Sequence, residues 1–209
     1  MTDELTLRNQ IEELHRQIRQ KPGQAELYHD LGVGYYLLGE YQHSITFLNK
    51  AVESDPDNKT YRYNLANSYA EYESFELAIR NYLDVIDSIP DHIPALNNLA
   101  DCYEKTGNEK DAHDVFQYIT KIAPQNALAF FNLGNFYLRR NNHHEAARKY
   151  KKAIETEPGF TDAYFTLSWI LKEIGAYPEA LEFAEKGLST DKDHEDLQKL
   201  AREIRLRLG

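Results

Sequence analysis

Residues 127–160 read ALAFFNLGNFYLRRNNHHEAARKYKKAIETEPGF. The first half places apolar or small residues three or four positions apart, which predicts one amphipathic helix. The second half repeats that spacing and ends at Pro158, which lacks the N–H that a helix interior needs. The stretch therefore predicts two short helices joined by a turn. The residues on the two stripes are Phe130, Leu133, Gly134, Tyr137, Ala146, Tyr150 and Ala153.

The same pattern recurs every 34 residues, which predicts a repeat architecture rather than one central core. The leucines in register are Leu31, Leu65, Leu99, Leu133 and Leu167. The prolines in register are Pro22, Pro56, Pro90, Pro124 and Pro158. The tyrosines in register are Tyr35, Tyr69, Tyr103 and Tyr137.

This pattern resembles the tetratricopeptide repeat family, which has a 34-residue period of two helices. The resemblance implies an all-α, right-handed α-solenoid, a superhelix of five helix-turn-helix repeats with a capping helix at each end. It also implies a protein-binding scaffold rather than an enzyme. The expected segments are an N-terminal half repeat (1–24), five repeats (25–58, 59–92, 93–126, 127–160 and 161–194) and a C-terminal helix (195–209).

Composition narrows the class of partner. The net charge of −10 argues against nucleic-acid binding, which needs cations to displace counterions. It mildly favours a basic partner, but the preferred interpretation is that the acidic charge keeps an extended surface soluble. The single cysteine, Cys102, excludes an internal disulfide and is expected to be buried. The N-terminus lacks the apolar core of a signal peptide and no stretch is apolar enough to insert into a membrane, so we expect a cytoplasmic protein.

The N-terminal helix, expected over residues 3–20, occupies the place of a second helix in a repeat that lacks its first. It is interpreted as a cap over the apolar face of the first repeat. The alternative is a self-association element that makes the protein a homo-oligomer, as in magnetosome-associated scaffolds of the family. The polar C-terminal helix resembles the solvating helix common in the family.

Small residues and turn residues also keep the register. Gly32, Gly134 and their equivalents are expected to face Ser44, Ala146 and their equivalents in the paired helix. Gly39, Gly107, Gly175 and Asn141 suit a left-handed helix end. Glu73 is the exception, and either strain or a different turn is expected there. The register places Glu73 with these residues.

The resemblance also implies which residues face the ligand, because first helices line the concave groove of the superhelix in this family. Asparagine recurs at the sixth position of three repeats, with further asparagines beside it. These amides are interpreted equally as a ladder for an extended peptide backbone or as packing residues. They are Asn64, Asn67, Asn97, Asn98, Asn132 and Asn135.

Aromatic and charged residues surround the amides and predict anchors for a peptide. Acidic residues such as Asp101 fall near the first half of this groove and basic residues such as Arg139 near the second. The aromatic candidates are Tyr36, Tyr63, Phe131, Phe165 and Trp169.

Other site classes find no support. The family's two-carboxylate clamp for chaperone C-terminal tails needs lysine and arginine at fixed positions, and no frame supplies them. The run His143–His144–Glu145 lacks the second histidine of a zinc motif, since Arg148 stands there. No catalytic set and no cofactor motif is predicted. The expected function is capture of a peptide segment by a non-enzymatic adaptor, with self-assembly as the alternative.

Overall fold

The computed structural model describes the backbone of residues 2–209 and the side chains of residues 4–209. Met1, at the start of the expected half repeat, lies outside them. Over this range the chain forms twelve helices and no strand. They are α1 (Thr2–Gln20), α2 (Ala25–Leu37), α3 (Tyr41–Ser54), α4 (Lys59–Glu71), α5 (Phe75–Ser88), α6 (Ile93–Lys105), α7 (Glu109–Ile122), α8 (Ala127–Leu138), α9 (His143–Thr156), α10 (Thr161–Glu173), α11 (Tyr177–Thr190) and α12 (Glu195–Leu208).

Consecutive helices form antiparallel hairpins. In α2 and α3, Gly32 lies against Leu48, and the ring of Tyr35 stacks on that of Phe47 with centroids 5.6 Å apart. As α2 advances from Gly32 to Tyr35, the residue contacted on α3 moves back from Leu48 to Phe47, which is the antiparallel order. The all-α solenoid expected from the 34-residue period is confirmed.

The turns inside the hairpins share one left-handed residue. Its φ is 74° at Gly39 and 55° at Asn141. Glu73 has φ 59°, and the next residue, Ser74, donates its N–H to the carbonyl of Tyr69 over 2.8 Å. Asn142 makes the same bond to Tyr137 over 3.0 Å. Of the two alternatives, the structure therefore has the common turn with strain at Glu73.

The small residues pack differently from the expectation. A Cβ at Gly32 would lie 2.5 Å from Cγ of Leu48, so the closest neighbour is Leu48 and not Ser44. Ser44 instead bonds Ser68 of the next hairpin, with 2.8 Å between the two hydroxyl oxygens. Gly32 therefore makes its closest approach to Leu48, while the hydroxyl of Ser44 bonds the neighbouring helix α4.

Similarly, a Cβ at Gly134 would lie 2.7 Å from Cε1 of Tyr150, so Tyr150 is its closest neighbour. The glycines thus make room for a large side chain of the second helix. This close approach is what a larger residue would disturb, because protein interiors leave few voids.

The chain divides into two compact units, Met1–Val115 and Phe116–Gly209. In the first, α1 packs on α2, where a Cβ at Gly34 would lie 3.0 Å from Cγ1 of Ile11. In the second, α12 packs on α10 and α11, and Gly187 lies against Leu197 and Tyr164. Within residues 2–209, no helix has both the length and the hydropathy to cross a membrane.

Candidate functional site

A pocket of about 520 Å³ lies in the first unit, among α2, α4, α5 and α6. Five of the sequence-predicted site residues line it: Tyr36, Tyr63, Asn67, Asn98 and Asp101. The structure thus brings together residues from three first helices. The other lining residues are Ala70, Glu71, Glu73, Phe75, Tyr82, Cys102 and Lys105.

One residue of the pocket wall is smaller than its equivalents in the other repeats. Ala70 lines it at the twelfth position of its repeat, where the other repeats carry Tyr36, Glu104, Leu138 and Lys172. Each of those side chains is longer than alanine's. The twelfth position of the second repeat therefore leaves room that its equivalents fill.

Two amide side chains of the pocket use only one of their two polar atoms in hydrogen bonds within the protein. Oδ1 of Asn67 accepts hydrogen bonds from the Tyr82 hydroxyl over 2.7 Å and from Nδ2 of Asn98 over 3.0 Å. For Nδ2 of Asn67 and Oδ1 of Asn98, the described part of the chain offers no partner. One donor and one acceptor therefore remain for a ligand on neighbouring pocket residues.

Tyr82 is the buried member of this network. Its side chain is fully buried, and burial raises the pKa of its hydroxyl above the usual value, so it stays a neutral donor. Cys102 is buried beside it, and burial followed by the charge of Asp101 raises its pKa to about 12. The thiol is therefore a packing group and not a nucleophile at neutral pH.

The remaining amides of the first unit bond elsewhere. Nδ2 of Asn64 donates to Nε2 of His29 over 2.8 Å, and the His29 ring stacks on Tyr61. Nδ2 of Asn97 donates to its own helix at the carbonyl of Ile93 over 3.1 Å. Neither residue lines the pocket. The asparagines therefore hold helices together as well as offering polar groups.

The charge of the pocket wall is mainly negative. Glu71, Glu73 and Asp101 carry carboxylates, against the single ammonium of Lys105. Glu71 and Glu73 are exposed and make no ion pair with any residue between 4 and 209. Burial, then the charge of Glu71, raises the pKa of the Tyr36 hydroxyl.

In the second unit the predicted residues lie along α8 and α10. Oδ1 of Asn135 accepts from the Tyr150 hydroxyl over 2.6 Å, and Phe131 packs on Tyr150 with ring centroids 5.3 Å apart. Phe165 stacks on His194, and Trp169 is 37% exposed. Asn132 also lies on α8, and Arg139 is its C-terminal cap.

Sequence reasoning missed Tyr82 and Tyr150 as partners of Asn67 and Asn135. A signal was present: where the twenty-fourth residue of a repeat is tyrosine, the ninth is asparagine. The repeats without that tyrosine carry Val33, Asp101 and Trp169 at the ninth position. Glu73 and Phe75 were also missed as pocket residues, because turn residues were interpreted by backbone conformation alone.

A metal site finds no support in the part of the chain that the structure describes, since no group of three His, Cys, Asp or Glu side chains is placed to hold an ion. The run His143–His144–Glu145 forms the first turn of α9, with His143 as its first residue.

The twelve helices and their 34-residue period define a helical-repeat protein. Tetratricopeptide repeat models match residues 25–58, 63–127 and 137–204. The chain therefore belongs to the tetratricopeptide repeat family. No curated protein matches it.

Solved structures show the same fold. A tetratricopeptide repeat protein from Parabacteroides merdae is 22% identical, with a TM-score of 0.74, covering 99% of this chain and 82% of that one. MamA from Desulfovibrio magneticus is 18% identical, with a TM-score of 0.67, and the match covers 81% of this chain and 96% of that one. YrrB, described as a tetratricopeptide repeat (TPR) protein with an unusual peptide-binding site, is 19% identical, with a TM-score of 0.63. The match covers 92% of this chain and 99% of that one.

Proposed function

We propose that this protein is a non-enzymatic scaffold that captures an extended peptide segment of a partner protein in the pocket of its first unit. The observation that carries the proposal is the pair of half-used amides, Asn67 and Asn98, on the wall of an open pocket of about 520 Å³. Pockets of this size commonly hold small ligands or a few residues of a peptide.

The two amides supply groups that a peptide backbone needs. Nδ2 of Asn67 can donate to a backbone carbonyl, and Oδ1 of Asn98 can accept from a backbone N–H. Their geometry is fixed, because the Tyr82 hydroxyl and the Asn67–Asn98 bond hold both side chains. A preorganised pair costs little conformational entropy when the ligand binds.

Aromatic residues supply the apolar part of the site. Tyr36, Tyr63 and Phe75 line the pocket beside the amides, and rigid aromatic rings are frequent anchors at interfaces. In the second unit, the half-exposed Trp169 and Phe165 offer further anchors on α10. Because the pocket carboxylates would repel an acidic chaperone tail, that partner class is disfavoured.

Site-specific photo-crosslinking tests this function. A photoreactive phenylalanine analogue is placed at Lys105, on the pocket wall, or at Asp87, an exposed residue that does not line the pocket. We expect irradiation in cell extract to join a partner to the chain labelled at position 105 and not to the one labelled at 87. Ala70→Leu, which fills the pocket, should abolish the crosslink while the melting temperature stays unchanged.

Mass spectrometry of the crosslinked peptide then names the partner segment. A crosslink from position 105 that persists in the Ala70→Leu variant would show that the pocket is not the binding site. Equal capture from positions 105 and 87 would show nonspecific contact, and the proposal would be rejected.

Self-association is a second candidate, favoured by a groove of about 430 Å³ between α1 and α2. Leu7, Leu14 and Val33 line it, and Leu37 beside them is 66% exposed. A second copy of the chain would bury this apolar lining. We expect sedimentation velocity to show that the chain associates. Leu37→Glu and deletion of residues 1–22 should both reduce this association, whereas the control Leu206→Glu, at an exposed leucine outside the groove, should leave it unchanged. A monomer at all concentrations would exclude it.

A further inference from the structure

We propose that the pocket in the first unit selects a basic side chain, arginine or lysine, from the captured segment. This inference rests on the proposed peptide capture and adds the chemical class that the pocket recognises. It is carried by the composition of the pocket wall. The carboxylates of Glu71 and Glu73 pair with no cation among the described residues, Oδ1 of Asn98 accepts no hydrogen bond from them, and aromatic faces line the same cavity.

The first argument is charge. Glu71 and Glu73 line the pocket and pair with no cation among the described residues, so a ligand cation displaces no internal partner. Lys105 is the only cation on the wall. A carboxylate ligand would instead face like charges, which is unfavourable at close range.

The second argument is hydrogen-bond type. A guanidinium group has five donors and no acceptor, and an ammonium group has three donors. The polar groups open to a ligand are mostly acceptors: the oxygens of Glu71 and Glu73 and Oδ1 of Asn98. Donors on the ligand therefore match this wall, and bidentate contact with a carboxylate favours arginine.

The third argument is the aromatic lining. Tyr36, Tyr63 and Phe75 all lie on the pocket wall. A cation over an aromatic face is attracted by the ring quadrupole, and the alkyl part of a long basic side chain packs on the same rings. The pocket thus offers both ends of such a side chain a suitable surface.

The volume fits this occupant. At about 520 Å³ the pocket exceeds a single side chain and leaves space for the flanking backbone, which Asn67 and Asn98 contact in the proposed mode. Glu73 sits at a turn position that carries glycine in Gly39 and Gly107. Its carboxylate is therefore an addition that the turn itself does not need.

The test is a selection of peptides from a randomised dodecapeptide library displayed on phage, with the full chain immobilised. A second selection uses the double variant Glu71→Gln, Glu73→Gln. A third uses Glu53→Gln, Asp87→Asn, which removes the same two charges from exposed positions outside the pocket. Circular dichroism confirms that all three proteins are folded.

We expect the wild type and the Glu53/Asp87 control to enrich peptides with a fixed arginine or lysine, and the Glu71/Glu73 variant to lose that enrichment. A selected peptide is then synthesised with its basic residue and with citrulline or glutamine in its place. Its dissociation constant, measured by fluorescence anisotropy, should rise about tenfold with the neutral residue on wild-type protein. On the Glu71/Glu73 variant the two peptides should bind alike.

The outcomes separate the two proposals. Peptides that are selected without a basic residue, or that keep it on the Glu71/Glu73 variant, would overturn the basic-side-chain inference and leave peptide capture intact. Selected peptides that bind equally to wild type and to Ala70→Leu, or the absence of any enriched peptide, would overturn both.

Discussion

The hydroxyl of Tyr82 donates to Oδ1 of Asn67 over 2.7 Å, and Tyr150 bonds Asn135 in the same way over 2.6 Å, two repeats further along. Each pair links the two helices of one hairpin. The tyrosines are fully buried, and the asparagines are half-buried on first helices. A buried hydroxyl thus orients an amide whose Nδ2 remains open, so the packing of the hairpin fixes the amides of the proposed binding surface.

We expect two substitutions, Tyr82→Phe and Tyr150→Phe, to lower the free energy of unfolding at neutral pH. At alkaline pH the difference from wild type should almost vanish. At pH 8 each loses one hydrogen bond, worth about 1 kcal/mol. Burial raises the pKa of both hydroxyls, so the folded protein keeps protons that the unfolded chain loses above pH ~10. Wild-type stability therefore falls with rising pH by up to about 1.4 kcal/mol per unit per tyrosine, and phenylalanine removes that loss.

Urea unfolding at pH 8 and pH 11 measures both effects. Tyr118→Phe, at an exposed tyrosine, is the control, and its difference from wild type should be the same at both pH values. A Tyr82→Phe deficit that is as large at pH 11 as at pH 8 would show that burial of the hydroxyl does not govern alkaline unfolding.

Asn98→Ala should cost about 1 kcal/mol of unfolding free energy, because Nδ2 of Asn98 donates to Asn67 over 3.0 Å. It should also weaken a pocket-bound peptide, since Oδ1 of Asn98 is lost from the wall. Asn81→Ala is the matched control, because Asn81 lies on α5 and bonds only its own helix at Leu77. Thermal melts and anisotropy with a selected peptide measure the two effects. Loss of stability with unchanged peptide affinity would assign Asn98 to packing alone.

The 34-residue period predicted the fold because it records a packing constraint that each repeat meets separately. Small residues, turn glycines and prolines each have a local backbone cause, so their spacing placed the hairpins. The neighbour of Gly32 could not be predicted, because spacing identifies the face of a helix but not which of two facing residues approaches closest. Leu48 and Ser44 both lie on the inner side of α3, and only the structure separates them.

The pocket was predicted only in part. Position within the repeat grouped Tyr36, Asn67 and Asn98, which line one pocket, but it treated every repeat alike. The pocket wall includes Ala70, which is smaller than its equivalents in the other repeats. A cavity depends on such differences, and a search for what the repeats share passes over them.

Gly187→Ala should destabilise the second unit. A Cβ there would lie 2.6 Å from Cδ2 of Leu197 and 2.8 Å from Cβ of Tyr164, and the latter cannot move without its backbone. Overpacking of this kind costs about 1–3 kcal/mol, more than alanine gains in helix propensity. Gly159→Ala is the control, since nothing lies within 4 Å of its Cβ. Urea unfolding measures both, and a Gly187→Ala protein as stable as wild type would show that α12 moves away freely.

Glu73→Gly should make the protein more stable and, on the basic-side-chain proposal, a weaker binder. Glu73 holds φ 59°, a left-handed conformation that costs a residue with a Cβ about 1 kcal/mol and costs glycine little. The turn itself would be unchanged, because Ser74 still bonds Tyr69. Gly107 has φ 77° and open space around it, so Gly107→Ala should lower the free energy of unfolding by a similar amount. This variant therefore measures the cost of the left-handed conformation. Unfolding midpoints in urea and anisotropy with a selected basic peptide give the two readouts. Higher stability together with weaker binding would show that the strained residue supplies a carboxylate used in binding. A gain in stability with unchanged affinity would show that Glu73 does not contact the peptide.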